Sequence, residues 1–459
     1  MALNDRAIRG KVGRIAARAF NGPSGYVGRV TDRVTETVFT YAAPALKFGT
    51  GASAEIAYDL SKYGARRVLL VTDPGVAATG HPQRIADQIT ATGPEVVIFD
   101  RAHVEPTDAS FEEAIGFARS EGPFDAIVAV GGGSSIDTAK AINLLVTNPG
   151  ELMDYVNAPV GKAVAPTNPL LPLVAVPTTT GTGAESTTVC VLDVLSLKVK
   201  TGISHAALRP TLAVVDPALT VTQPSMVTAS AGMDILCHAL ESYTAQPYTA
   251  FDKMQPDQRV PYCGANPVAD MWSERAMGLL AGSFRRAVAA GNDTGLDSLA
   301  AREEMAMAAT FAGLGFGNAG VHIPHADAYP IAGRVRGYVP SGYPHGHAVI
   351  PHGMSVALTA AEAFRFTFDA APERHLHAAR LLDPTVSITG SEAGPDTLPQ
   401  VLIALMRDIG IPSGLAEVGY TDGDVDDLVE GALKQERLLS IAPKRPTAED
   451  LAGIFRRSM

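Results

Sequence analysis

The chain has 459 residues, 46% of them hydrophobic and 19% charged, a globular composition with room for a large core and two or three domains. A formal net charge of −11, from 37 Lys and Arg against 48 Asp and Glu, argues against a nucleic-acid or anionic-membrane surface. No apolar run reaches the ~18 residues needed to span a bilayer.

The first residues are locally basic (Arg6, Arg9, Lys11, Arg14, Arg18), in the manner of an organellar presequence but without the apolar core of a secretory signal. Residues 1–35 are therefore expected to be a disordered or loosely docked arm. The cytoplasm is the expected location, with the mitochondrial matrix as the alternative. Cys190, Cys237 and Cys263 form an odd set without metal-type spacing and suit a reducing compartment.

Beyond the arm the pattern becomes regular. Residues 37–41 read as a strand, 52–63 as a helix stopped by Gly64, 67–72 as a buried strand, 83–92 as a helix and 95–100 as a strand. A helix over 111–120 and an apolar strand over 125–130 follow, and the strand runs straight into Gly131-Gly132-Gly133-Ser134. Short apolar strands alternating with helices predict βαβ units and a parallel sheet, with ligands at the carboxyl ends of the strands. Two features sit at those ends. Asp73 follows the strand at 67–72, where an acid can take both hydroxyls of an adenosine ribose and disfavour a 2′-phosphate, selecting NAD over NADP. The glycine triplet, followed by a helix over 135–146, lets backbone N–H groups approach a pyrophosphate at a helix N-terminus. It is not G-x-G-x-x-G, so the ordinary dinucleotide fingerprint is absent.

A strand over 173–176 leads into Pro177-Thr178-Thr179-Thr180-Gly181-Thr182-Gly183-Ala184-Glu185, whose hydroxyls and glycines can serve a phosphate or carboxamide, and Lys200 comes shortly after. The plain alternative is a solvated polar hairpin. From residue 219 the β signals fade. Helical periods cover 229–243, 267–290, 297–313, 355–368, 373–382, 398–408 and 448–457. The expected architecture is an α/β Rossmann-like dinucleotide-binding domain over 36–218 and an all-helical domain over 219–459, with the active cleft between them.

Asp234 and His238 stand four apart on the helix over 229–243, so both leave one face. Five of the eleven histidines then crowd into 31 residues: His322, His325, His345, His347 and His352. A carboxylate and an imidazole met by later histidines is how a chain assembles a site for a first-row divalent metal. A helix carboxylate and an unrelated core histidine remain the plain alternative for the pair. Spacing does not choose among the later five.

These residues together resemble the iron-containing (group III) alcohol dehydrogenase family. The resemblance rests on Gly131–Ser134 followed by Asp137 and Lys140, on the Thr-Gly-Thr-Gly loop, and on the Asp234/His238 pair. Residues 104–108, 154–159, 236–243 and 313–320 are similar to the hydroxyacid–oxoacid transhydrogenase branch. That branch oxidises 4-hydroxybutyrate to succinate semialdehyde while reducing 2-oxoglutarate to 2-hydroxyglutarate, with no net use of NAD(H). Carried over by position, the resemblance implies metal ligands at Asp234, His238, His325 and His352, with His322 in support. It implies iron(II), with zinc acceptable to the same donors. The cofactor is expected to be NAD(H), tightly bound, at Asp73, Gly132, Gly133, Ser134, Ser135, Asp137, Thr178, Thr179, Thr182, Thr187 and Lys200.

Three departures from the wider family stand out. Tyr329 occupies a position where many members carry a histidine linked to proton transfer, the loop between His325 and His352 is long, and Thr107 replaces a frequent asparagine. Arg334 and Arg336 in that loop are candidates for capturing a substrate carboxylate, and His345 and His347 for relaying a proton. The expected partners are small hydroxyacid, oxoacid or alcohol substrates and further copies of the chain, in a homodimer or larger homo-oligomer. The competing functions are an NAD-dependent alcohol or 4-hydroxybutyrate dehydrogenase that releases NADH, and a non-catalytic metal- or nucleotide-binding protein.

Overall fold

A computed structural model describes residues 34–197, 199–343, 348–390 and 393–459. The strands are β1 (Ala45–Phe48), β2 (Arg67–Val71), β3 (Glu95–Phe99), β4 (Ala126–Gly131), β5 (Leu173–Pro177), β6 (Val189–Val194), β7 (Val199–Ser204) and β8 (Leu212–Val215). Six of them form one all-parallel sheet in the order β1-β8-β5-β4-β2-β3. Its central strands are apolar throughout because both faces are covered: β4 is buried at every position and β2 at all but its first. Helices α1 (Ile56–Lys62), α2 (His81–Thr90), α3 (Asp108–Glu121) and α4 (Gly133–Thr147) make the crossovers. β6 and β7 leave the sheet as an antiparallel hairpin beside α4.

The second half is largely helical: α5 (Ser225–Thr244), α6 (Pro267–Ala290), α7 (Leu296–Ala319), α8 (Ile323–Gly333), α9 (His352–Thr367), α10 (Pro372–Leu382), α11 (Thr397–Ile409), α12 (Val425–Leu433) and α13 (Ala448–Arg457). α5 is the axle. It is buried over nearly its whole length and touches α6, α7 and α9. Gly232 is a point of close approach, since a Cβ there would overlap the ring of Phe284 on α6.

One local expectation needs correction, and two helices form where the sequence pattern predicted none. No strand forms over 37–41; that stretch hooks onto a later loop instead. The Glu36 carboxylate accepts from the Thr37 and Val38 amides at 2.9 Å, from the Met254 amide at 3.0 Å and from Lys253 Nζ at 2.7 Å, and the edge strand starts only at Ala45. Helix α8 was hidden by its prolines. Pro324 lies in the first turn, where its missing N–H costs nothing, and Pro330 is carried inside the helix. Helix α12 escaped notice because it is only nine residues long.

Lys140 is fully buried on α4 and fastens the hairpin. Its Nζ donates to Val189 O at 2.8 Å and Thr187 Oγ1 at 3.0 Å, and lies 3.6 Å from Asp137 Oδ1. Asp137 in turn accepts from the Val191 amide at 3.0 Å. Burial raises the Asp137 carboxyl to about 6, with Lys140 opposing the rise. Lys140→Ala would remove the cation that faces the buried Asp137 carboxylate and should cost about 3–5 kcal/mol. A denaturation midpoint equal to that of the unaltered protein would show that Lys140 is not the fastening.

Candidate functional site

Helical spacing places the first site residues. Asp234, His238 and Glu241 follow one another at i, i+4 and i+7 on α5, so all three face the same way. α8 brings His325 to that face and the first residue of α9 brings His352. α9 can approach this closely because residue 353 is glycine: a Cβ there would lie 2.7 Å from Asp234 Cβ and overlap the Ser230 carbonyl.

The three imidazoles converge on a single oxygen. Asp234 Oδ1 is 3.4 Å from His325 Nε2, 3.7 Å from His238 Nε2 and 3.8 Å from His352 Nε2. Asp234 and His325 are almost fully buried, yet among the described residues neither this oxygen nor His325 Nε2 has a hydrogen-bond partner. Buried polar atoms are normally satisfied, so four lone-pair donors meeting around a common point suit a divalent cation. Ligand atoms of Asp234, His238 and His325 all lie within 4.8 Å of one another. Three nitrogens and one carboxylate oxygen are the donors expected of iron or zinc.

The surroundings fix each donor. Glu241 Oε1 accepts from His325 Nδ1 at 2.6 Å, which directs the Nε2 lone pair at the centre. The other oxygen of Glu241 accepts from the His322 amide at 2.6 Å. Phe316 stacks on His238 at 3.8 Å with the rings 6° from parallel. Burial, the largest cause, pushes His238 down to about 3 and also lowers His352, keeping both imidazoles neutral as ligands require. Burial would raise the Asp234 carboxyl, but the facing imidazoles outweigh it and hold the group well below the usual carboxylate range. His325 moves the other way, to about 9, because Glu241 and Asp234 overcome its burial, so a metal bound there would have to displace the Nε2 proton.

His322 has no lone pair to spare. Its Nδ1 accepts from the Ile323 amide at 2.8 Å, so the proton is on Nε2, which donates to Thr244 Oγ1 at 3.1 Å. The ring caps α8 and braces it against α5.

The predicted cofactor loops face one another. A Cβ on Gly132 would stand 2.8 Å from Thr179 Oγ1, and one on Gly133 would stand 2.8 Å from Thr182 Cγ2, so only glycine lets the two turns meet. Ser134 Oγ accepts from the Glu105 amide at 3.2 Å. Asp73 is buried at the end of β2, and its carboxylate accepts from the Val76 amide at 3.0 Å and Ser135 Oγ at 2.9 Å, tying that strand to the glycine turn. The Thr178 amide donates to Gly131 O at 3.0 Å, and its buried hydroxyl has no partner among the described residues. Asp137 and Thr187 belong to the Lys140 cluster described above. Lys200 pairs with Glu105 and, at 3.4 Å, with Asp193.

This arrangement matches known proteins along both halves. Residues 43–217 fit the model of the iron-containing alcohol dehydrogenases, and residues 261–459 fit that of the C-terminal region of the Fe-containing alcohol dehydrogenase family. The chain belongs to the iron-containing alcohol dehydrogenase family. It is 44% identical to the mitochondrial hydroxyacid-oxoacid transhydrogenase of Rattus norvegicus over 431 residues, 93% of this chain and 91% of that one. Among solved structures it resembles a 1,3-propanediol oxidoreductase, with a TM-score of 0.79 and 32% identity over 92% of this chain and all of that one. It also resembles the sulfoacetaldehyde reductase of Bifidobacterium kashiwanohense in complex with NAD+, with a TM-score of 0.74 and 27% identity over 92% of this chain and 98% of that one. Like other members of the family, it is an oxidoreductase, and its fold is theirs.

The remaining candidates of this family member are placed as follows. The ring of Tyr329 lies 6.4 Å from that of His352, and burial raises its phenol. Arg334 pairs with Asp427 at 2.7 Å and Arg336 with Asp424, so both guanidinium groups are already committed to carboxylates at α12. His345 and His347 lie outside the described residues. Thr107 caps α3, its side chain accepting from the Ser110 amide at 3.1 Å. Reading the sequence did not assign Glu241 a role, although its place seven residues after Asp234 was the available signal. Glu241→Gln should weaken metal binding roughly 10- to 100-fold, as measured by competition with a chelator. Affinity equal to that of the unaltered protein would show that Glu241 does not orient His325.

Proposed function

We propose that the protein is a hydroxyacid–oxoacid transhydrogenase: it oxidises 4-hydroxybutyrate to succinate semialdehyde and reduces 2-oxoglutarate to 2-hydroxyglutarate through one nicotinamide that stays bound. The observation that carries a metal-assisted hydride transfer is the convergence of three imidazoles on Asp234 Oδ1. The choice of substrates is supported by the 44% identity to a relative named as such a transhydrogenase.

Asp234, His238, His325 and His352 would hold the metal, which we propose is Fe2+, with Zn2+ fitting the same donors. Gly132, Gly133, Ser134 and Ser135 would serve the pyrophosphate of NAD(H), with Thr178, Thr179 and Thr182 opposite them and Asp73 favouring NAD over NADP. Bound there, the metal would supply Lewis acidity toward a substrate hydroxyl or carbonyl and the nicotinamide would supply hydride-transfer chemistry. The protein supplies placement. Glu241 keeps the proton of His325 on Nδ1, and Phe316 keeps His238 in plane. The Tyr329 phenol, kept protonated by burial, offers a hydrogen bond beside His352 where a histidine relay would otherwise be expected.

A second reading, a dehydrogenase that releases NADH, is favoured by the likeness to 1,3-propanediol oxidoreductase. The two separate in an assay on metal-quantified protein given 4-hydroxybutyrate and 2-oxoglutarate with no added nicotinamide. The transhydrogenase forms succinate semialdehyde and 2-hydroxyglutarate in equal amounts. If nothing forms there, while free NAD without any oxoacid gives steady accumulation of NADH, the enzyme is a dehydrogenase.

A further inference from the structure

Glu105 has a backbone conformation that side chains rarely adopt. Its φ of 56° is one of two positive values among the described residues other than glycine, Ala163 having the second. Such strain persists only where surrounding contacts over-determine it. Here the contacts reach two different elements. Residues 104–107 lead from the carboxyl end of β3 into α3, on the side of the sheet where a ligand belongs. The Glu105 amide donates to Ser134 Oγ in the glycine turn at 3.2 Å. The next carbonyl, that of Pro106, accepts from the Asp193 amide of β6 at 2.8 Å, and Thr107 pairs with Asp193 in a parallel bridge. The Glu105 carboxylate contacts Lys200 Nζ on β7 directly. One strained residue thus joins the glycine turn to the hairpin.

The hairpin spans from one half of the proposed site to the other. β6 packs against α4, which begins at the glycine turn, and β7 packs against α8, which carries His325 and Tyr329. Gln435 Nε2 donates to the Lys200 carbonyl at 3.4 Å, so the backbone of β7 is held from outside as well. The Lys200 side chain is 9% exposed and that of Glu105 36%. Lys200 holds the Glu105 carboxyl below the usual carboxylate range, with burial opposing. Burial would lower the Lys200 ammonium, but Glu105 and Asp193 outweigh it and raise it, so both partners are charged at neutral pH. An ammonium on a flexible four-carbon stem goes where its partner holds it. Without the Glu105 carboxylate, the ion-pair partner left among the described residues is Asp193, 3.4 Å away on the same hairpin, and the tie to residues 104–107 is lost. A dinucleotide with its pyrophosphate at the glycine turn and its reacting carbon toward the metal centre would have its nicotinamide half on this side.

We propose that Glu105 is a positioning residue for cofactor retention: anchored at the glycine turn, it clasps Lys200 on the hairpin and so slows release of the nicotinamide half of NAD(H). The inference rests on the transhydrogenase reading, in which the nicotinamide stays bound between the two half-reactions. Release then requires the contact between Glu105 and Lys200 to part, and the opening of such loop contacts commonly sets the rate at which a ligand leaves.

The test follows NADH release from loaded, metal-quantified enzyme, read as the change in nucleotide fluorescence when excess NAD is added as a chase. Glu105→Gln keeps the shape of the side chain and removes its charge. Glu105→Gly removes the carboxylate and puts at this φ the one residue to which it costs nothing. Both variants should release NADH roughly 10- to 100-fold faster than the unaltered enzyme. The affinity for ADP, which lacks the nicotinamide half, should stay as it was. A release rate equal to that of the unaltered enzyme in both variants would overturn the proposal, as would an equal loss of NADH and ADP affinity. If the unaltered enzyme itself sheds NADH in each turnover, the transhydrogenase reading fails by itself, and the ratio of release rates still decides the role of Glu105.

Discussion

A carboxylate taken almost wholly out of water needs a compensating charge, and the three imidazole nitrogens ranged about one oxygen of Asp234 mark where a cation would supply it. Much of the helical half can be read as the means of holding them there. α5 supplies two of the four groups from a single face, and its burial against α6, α7 and α9 prevents it from turning. α8 and α9 each deliver one histidine in the first turn. Glu241 links two of these helices by accepting from the backbone of α8 as well as from its histidine.

The same constraint explains why glycines gather where the halves meet. Gly353 lets α9 touch α5, and Gly183 lets the threonine-rich turn reach Gly313 and Phe316 on α7. Phe316 lies flat on His238, so that turn and the proposed metal centre are one ring apart. A hydride donor and a Lewis acid have to be this near each other if both are to act on one carbon. The parallel sheet contributes the other side of the cleft through the ends of β4 and β5, where the glycine and threonine turns are mutually complementary in shape.

Legibility in the sequence followed physical range. The parallel sheet could be read because apolar strands buried on both faces leave a strong signal, and Asp234 and His238 because a helix repeats locally. The later histidines could not be sorted by spacing. What separates His325 from His322 is which ring nitrogens are spent, and that depends on Glu241 and Thr244, some 80 residues earlier in the chain. Arg334 and Arg336 looked free in sequence only because Asp424 and Asp427 come from nearly a hundred residues later. The strand expected over 37–41 had suitable side chains but no neighbour to pair with, and Glu36 drew it to the loop at 251–254 instead. In every instance the deciding partner was distant in sequence.

The proposed chemistry requires a metal held at the convergence of Asp234, His238, His325 and His352. Anomalous diffraction from crystals of the metal-loaded protein tests this most directly. A single peak about 2.0–2.2 Å from Asp234 Oδ1 and from Nε2 of all three histidines is the expected result. A peak that includes His322 in place of His325, or that lies away from Asp234, would contradict it.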